Sequence, residues 1–341
     1  MSDGLQPGDS PMKKILVTGA SGFVGSHLVE ECLRRDLQVF AGIRKSSSRE
    51  YLQDPRIRFL EMDFNDTGRL TRQLSDHAFD YIIHNAGVVS APRLSDYWSV
   101  NFEYVRNLTD AVLASGHLPE KFTFISSAAA YGPASSSDLS DFMTEDREPR
   151  PINTYGKAKL AAERHLAQLA DFPYVILRPT GVYGPREREI LTFFRLVNYN
   201  LEAYIGSRRQ HLAFIYIRDL TRVTLDATLS GLTRRGYFVS DGRYYAQWDL
   251  GEATKRLLGK RTTRLHIPVS LVRALAWILE QIGKSRGSYP ALNLEKVSIL
   301  ESLNWKCDIS PLRDDLNFHP QYDLGEGLRE TLRWYQENRW L

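Results

Sequence analysis

Apolar, β-branched runs alternate with helical patterns through the first half of the chain. The runs are 14–18 "KILVT", 38–43 "QVFAGI", 57–61 "IRFLE", 79–84 "FDYIIH", 121–125 "KFTFI" and 174–178 "YVILR". Segments 23–35, 66–76, 96–115 and 153–170 lie between them and read as helices. Such alternation predicts βαβ units, whose right-handed crossovers build a parallel sheet covered on both faces. The expected class is therefore α/β, with a doubly wound parallel sheet. After Pro179 the rhythm changes. Segments 180–185 and 203–217 are strand-and-loop-like and aromatic, and helical patterns return at 190–200, 219–230, 247–258, 268–283, 292–302 and 325–337. The pattern divides the chain into a flexible tail at 1–12, a sheet domain at 13–180 and a smaller mixed α/β lobe at 181–341. Some segments of that lobe are expected to return to the sheet domain.

The turn after the first strand, 18–28 "TGASGFVGSHL", spaces Gly19, Gly22 and Gly25 by three. Glycine weakens a helix, so its use here needs a reason. On a strand-to-helix turn, Gly19 permits the bend, Gly22 admits a pyrophosphate to the backbone, and Gly25 lets the helix lie close to the sheet. Free N–H groups and the positive end of the helix dipole then face the phosphates. Ser21, Phe23 and Val24 lie on the same approach. This is the Rossmann dinucleotide arrangement, and it implies an NAD(P) cofactor. The second strand ends "FAGIRKSSSRE", with Arg44 and Lys45 where a free ribose 2′-hydroxyl would call for a carboxylate. Cations there suit a 2′-phosphate. NADP(H) is therefore preferred over NAD(H). Asp63, followed by Phe64 in "EMDFND", is placed to reach the adenine.

"NTYGKAKLAAE" sets Tyr155 and Lys159 four apart, on one face of a helix. A tyrosine has a usual pKa of about 10. A neighbouring ammonium lowers it and makes the phenol a usable acid/base.

These motifs do not stand alone. TGxxGxxG, "HNAG" after the fourth strand, "SSAAAYG" after the fifth, YxxxK and "LRPTGVYGP" follow one another in order. In this the chain resembles the extended short-chain dehydrogenase/reductases, the NAD(P)-dependent epimerase/dehydratase family, over about residues 13–235. The resemblance implies Tyr155 as catalytic acid/base and Lys159 as the group that tunes it and binds the nicotinamide ribose. Ser127 would hold the substrate oxygen, and Asn101 would support the lysine's proton path. It further implies Asn85, Ala86 and Gly87 beside the cofactor, Pro179 and Val182 flanking the nicotinamide, and Ala129, Tyr183 and Arg209 near the substrate. A homodimer through helices 96–115 and 153–170 is also expected.

Members divide into sugar-nucleotide enzymes and reductases of ketones, steroids and lipids. The former commonly carry an arginine in an "RDFVYVDD"-like stretch that binds diphosphate. Here "QHLAFIYIRDL" has Leu212 and Ala213 at that place, with Arg208 and Arg209 nearby as substitutes. "SSAAAYG" offers Ala128 and Ala129 where dehydratases place acidic groups, so elimination lacks its acid/base. Segment 267–284, "IPVSLVRALAWILEQIGK", is rich in Leu, Ile and Trp and suits a greasy cleft or a membrane surface. The C-terminal "LNWKCDISPLRDDLNFHPQYDL" resembles steroid-dehydrogenase-like, dihydroflavonol-reductase-like and bacterial ceramide-type lipid ketone reductase members. The first reading is NADP(H)-dependent reduction of a lipid-like ketone, such as a sphingoid, ceramide or sterol ketone. The alternatives are an NAD-dependent sugar-nucleotide epimerase and a non-catalytic dinucleotide sensor.

Composition narrows the setting. A net charge of +3 on 341 residues is too small to argue for nucleic acid. Cys32 and Cys307 form no framework, which fits a reducing cytoplasm. The eight histidines show no metal-ligand spacing, so no metal is expected. Contact with the inner face of a membrane is the one departure from a cytoplasmic location that the apolar segment suggests.

Overall fold

A computed structural model describes residues 12–135, 138, 140–285, 289–290 and 292–341. The expected tail at 1–12 lies outside them except for Met12. Each apolar run becomes a short strand: β1 Lys14–Thr18, β2 Gln38–Ile43, β3 Arg58–Glu61, β4 Tyr81–His84, β5 Lys121–Ile125 and β6 Tyr174–Pro179. Ile15 and Val17 of β1 are buried in the core on one face of the sheet, and Leu16 in the core on the other. An unbroken apolar run is what a strand covered on both faces requires. Burying each such side chain contributes about 1.5–3 kcal/mol.

On one face packs α1 (Phe23–Arg34); on the other pack α2 (Thr67–His77), α4 (Tyr104–Ala114) and α5 (Thr154–Gln168). The expected single helix at 96–115 is three pieces. A short α3 (Leu94–Trp98) runs into a π-helical turn, Ser99–Glu103, before α4 begins. Such turns interrupt helices where a side chain must be re-aimed, and this one contains Asn101.

The second half opens with β7 (Gly181–Tyr183), α6 (Leu191–Asn198), β8 (Leu201–Ile205) and β9 (Phe214–Tyr216). The chain then returns to the sheet. Helix α7 (Ile217–Leu229) lies against α1, and β10 (Arg235–Val239) pairs with β6. The completed sheet has seven parallel strands in the order β10-β6-β5-β4-β1-β2-β3. This is the doubly wound order, with its switch point between β1 and β4.

The remaining elements are α8 (Asp249–Leu258), β11 (Thr263–Ile267), α9 (Val269–Ser285), α10 (Leu294–Glu301), α11 (Ser310–Leu316) and α12 (Leu324–Glu337). Two parallel pairs, β7 with β9 and β8 with β11, build the small lobe. Among the described residues both cysteines are free and buried, and no helix is long and apolar enough to cross a membrane.

Candidate active site

The strand ends at the switch point converge on the glycine turn. Gly19 has φ +64°, in the left-handed region, and a Cβ there would lie 2.8 Å from Ala86 Cα. A Cβ on Gly25 would lie 2.1 Å from the Gly19 carbonyl oxygen, so α1 is pressed onto its own turn. Exposed Gly22 N-caps α1 without any side-chain acceptor, and the first turn of α1 carries no carboxylate. Helix amides left this way suit an anion. The cradle fits the pyrophosphate of a dinucleotide, with half-buried Ser21, Phe23 and Val24 along it.

Thr18, which the sequence reading passed over, joins this turn to the next. Its Oγ1 accepts from the Asn85 and Ala86 amides, both at 3.2 Å, and lies 3.0 Å from His84 Nδ1. Holding two N–H groups, the hydroxyl turns its own hydrogen to that ring nitrogen. Burial, helped by the Lys159 charge, pushes His84 down to about 3, so the ring is neutral. Gly87 then lies exposed at the rim.

Beyond β2, the Arg44 amide donates to Ser47 Oγ at 3.0 Å and closes a turn. The Arg44 and Lys45 side chains are exposed and engage no described residue. Exposed Asp63 accepts from the Asn65 amide at 3.0 Å. Phe64 is buried and stacks on Tyr104, edge-on to His84, so its ring serves the protein core.

Asn101 and Lys159 meet behind Gly87. A Cβ on Gly87 would lie 3.0 Å from Asn101 Oδ1 and 3.2 Å from Lys159 Nζ. Asn101 is buried and clamps the Val88 peptide, accepting from its amide at 3.1 Å and donating to its carbonyl at 3.0 Å. Lys159 donates to the Ile125 carbonyl at 2.8 Å and lies over the Phe124 ring. Burial pushes Lys159 down to about 7, against the pull of Glu163.

Ser127 N-caps a 3₁₀ turn, Ala128–Ala130, where its Oγ accepts from the Ala129 amide at 3.2 Å. Ser127, Ala129 and Tyr155 are all half-buried. Burial pushes the Tyr155 phenol up to about 12, while a hydrogen bond with Ser127 works in the opposite direction. The expected lowering of Tyr155 by Lys159 is thus corrected for the chain by itself. The Lys159 amine is directed at the Ile125 carbonyl, is lowered to about 7 by burial, and has no part in the Tyr155 shift.

Three supports had no sequence signal of their own. Glu163, one turn beyond Lys159, pairs with Arg178 of β6 at 2.9 Å in the buried interior and accepts from Ser126. Glu295 of α10 accepts from the Thr154 amide at 2.9 Å and the Thr154 hydroxyl at 2.7 Å, at the very start of α5. Buried Tyr97 receives the Ala91 amide and donates to the Val89 carbonyl, steadying the loop after β4.

Pro179 is buried and Val182 half-buried, on either side of the β6–β7 link. Tyr183 corrects the reading that put it near substrate. It is 1% exposed, packs against Phe214 and Tyr216, and donates to the Asp323 carbonyl at 3.1 Å. Strand pairing with β9 and the packing of α12 turn it into the core. Arg209 is exposed on the loop after β8 and engages no described side chain by hydrogen bond or ion pair. Leu212 packs against the core and Ala213 is buried, so no guanidinium stands at these two positions just before β9. Among the described residues no group of three His, Cys, Asp or Glu side chains is placed to hold a metal ion.

The family model described as "NAD dependent epimerase/dehydratase family" matches residues 15–232. A UDP-glucose 4-epimerase of Vibrio cholerae is 28% identical over 342 residues, covering 95% of this chain and 96% of that one. A ceramide reductase of Caulobacter vibrioides is 23% identical over 330 residues, 96% of each chain. The crystal structure of dTDP-glucose 4,6-dehydratase from Bacillus anthracis in complex with NAD superposes with a TM-score of 0.77 at 17% identity, covering 96% of this chain and 97% of that one.

Proposed function

The chain belongs to the NAD-dependent epimerase/dehydratase family and is an enzyme of the NAD(P)-dependent oxidoreductase type; from that premise we propose that it reduces a ketone on a lipid-like substrate, using NADP(H). The observation that carries this reading is the pairing of a protonated Tyr155 with a small lobe that has Leu212 and Ala213 at the diphosphate-arginine position. A phenol held near 12 at neutral pH is an acid ready to donate, which is what carbonyl reduction asks for. A site without a guanidinium just before β9 loses a bidentate partner for a diphosphate. The Caulobacter ceramide reductase supports a lipid ketone; the Vibrio epimerase, equally similar, supports sugar-nucleotide epimerisation as the second reading.

Gly19, Gly22, Gly25 and the amides of α1 would hold the pyrophosphate, Arg44 and Lys45 a 2′-phosphate, and Asp63 the adenine. Asn85, Ala86, Gly87, Pro179 and Val182 would border the rest. The bound dinucleotide supplies hydride chemistry. Ser127 would fix the carbonyl oxygen by a hydrogen bond, and Tyr155 would give its proton to that oxygen as negative charge develops there. Lys159 would bind the ribose and, with Asn101, return a proton to the phenol. Ala129 and Arg209 would border the substrate.

A titration of nucleotide-stripped protein with NADPH and NADH tests the reading. NADPH is expected to bind more tightly, and Arg44→Ala to weaken it about tenfold to a hundredfold while leaving NADH nearly unchanged. Retained NAD, or no preference for the phosphate, puts sugar-nucleotide epimerisation first.

A further inference from the structure

Helix α9 is apolar on two separate sides. On one, Val272 and Ala276 are buried with Val297 of α10, against Ile205 and Ile267 at the ends of β8 and β11. This closes the small lobe's own core. On the other, Leu271, Leu275 and Ile278 recur at spacings of four and three, which sets them in one stripe. They are 62%, 47% and 47% exposed. One apolar stripe is enough to seat a surface helix. A second one, left facing outward, marks a surface that meets something apolar.

The charges around the stripe identify that partner. Between Asp249 and Lys284 there are seven lysines and arginines and three carboxylates, and Lys255, Arg264 and Arg273 are paired with Glu202, Glu252 and Glu301. Each carboxylate is engaged within the protein. Asp249 accepts from the Ala246 amide, Glu252 pairs with Lys255 and Arg264, and Glu280 accepts from the Leu294 amide. Arg256 and Arg261 are exposed and pair with no described carboxylate. Arg208 and Arg209 are exposed on the loop that starts at Gly206, which abuts Val269 in the first turn of α9. An apolar stripe rimmed by cations, with its carboxylates already satisfied, complements acyl chains beneath anionic headgroups.

We infer that α9 docks on an anionic phospholipid bilayer, entering it with Leu271, Leu275 and Ile278 while Arg208 and Arg261 hold headgroups. The docked helix is tied to the site. Glu280 of α9 binds the start of α10, and Glu295 of α10 binds the start of α5 one residue before Tyr155. Docking goes beyond the substrate reading and stands without it.

The test is co-sedimentation of the full chain with sucrose-loaded vesicles, of phosphatidylcholine alone or mixed with phosphatidylserine. The protein is expected to pellet with the mixed vesicles and to be released by added salt. The double variant Leu275→Glu with Ile278→Glu is expected to bind at least about tenfold more weakly, since two apolar anchors are lost. Its NADPH affinity should match the wild type, which separates docking from the cofactor reading. If that variant fails to fold, Leu275→Ser with Ile278→Ser takes its place. Equal pelleting of wild type and variant, or a wild type that stays in solution, overturns the inference. A sedimentation coefficient that falls in the variant without any vesicle binding assigns the stripe to a second copy of the chain instead.

Discussion

With its phenol pushed up to about 12, Tyr155 keeps its proton throughout the neutral range. Reduction uses that proton directly, whereas oxidation of the alcohol must first remove it. The rate of ketone reduction should therefore stay level from neutral pH into the alkaline range, while the reverse reaction climbs with pH. Initial rates in both directions across pH check this, and Tyr155→Phe should lower both by about 10²–10⁴-fold with an unchanged melting curve. Lys159 makes a stability argument as well. Its folded value is lowered to about 7 from an ordinary 10.5, so the unfolded chain binds more protons between those limits. Stability must then rise with pH across that window, and below it the buried charge works against the fold. Without nucleotide, Lys159→Met should gain most over the wild type in melting temperature below about pH 7, and the gap should close as pH approaches 10.5. These two residues were singled out by their spacing of four together with the ordered motifs around them, since that spacing alone is common on helix surfaces. Thr18 with His84, and Thr154 with Glu295, were not. Their bonds join positions 66 and 141 residues apart, and no local pattern records them.

Among elements, the contact between α10 and α5 is the one that mutation can probe most simply. Removing the Glu295 carboxylate leaves the Thr154 amide and hydroxyl without their acceptor at the head of α5. Glu295→Ala should cost about 1–3 kcal/mol, read by thermal or urea unfolding. The strands β1 to β6 and the helices between them could be read from the chain because buried parallel strands demand unbroken apolar runs. The single helix at 96–115 could not be divided by periodicity, since the π-helical turn Ser99–Glu103 keeps the chain helical from α3 into α4. Strand β10, "RGYFV", was missed for another reason. It opens on an arginine and a glycine, and only its pairing with β6 makes it a strand. Strands β7, β8 and β9 fall in or beside the segments 180–185 and 203–217 that read as strand-and-loop-like, but the pairing of β7 with β9 and of β8 with β11 was not legible, because the partners lie far off in sequence.

For the molecule as a whole, the outer faces of α3 and α5 leave a groove lined by Trp98, Phe102, Leu160 and Ala161. Trp98 at 40% exposed stands out on that surface. A second copy laid against it would cover these side chains, and sedimentation velocity is expected to find a dimer that Ala161→Arg converts to a monomer. The division at residue 180 was only partly legible, since α7 and β10 complete the sheet after the small lobe has begun.

That late return constrains how the chain is made. A ribosome that has delivered every strand through β6 still lacks the partner for the Tyr174–Pro179 edge, and it must synthesise residues up to Val239 before that edge is paired. Until then β6 presents open backbone groups to any other nascent strand in reach. The first 180 residues, although they hold all four of the proposed catalytic side chains, are thus no independent module. Grafting or truncating at that boundary would leave an adhesive edge, and a cut that respects the fold has to fall after β10.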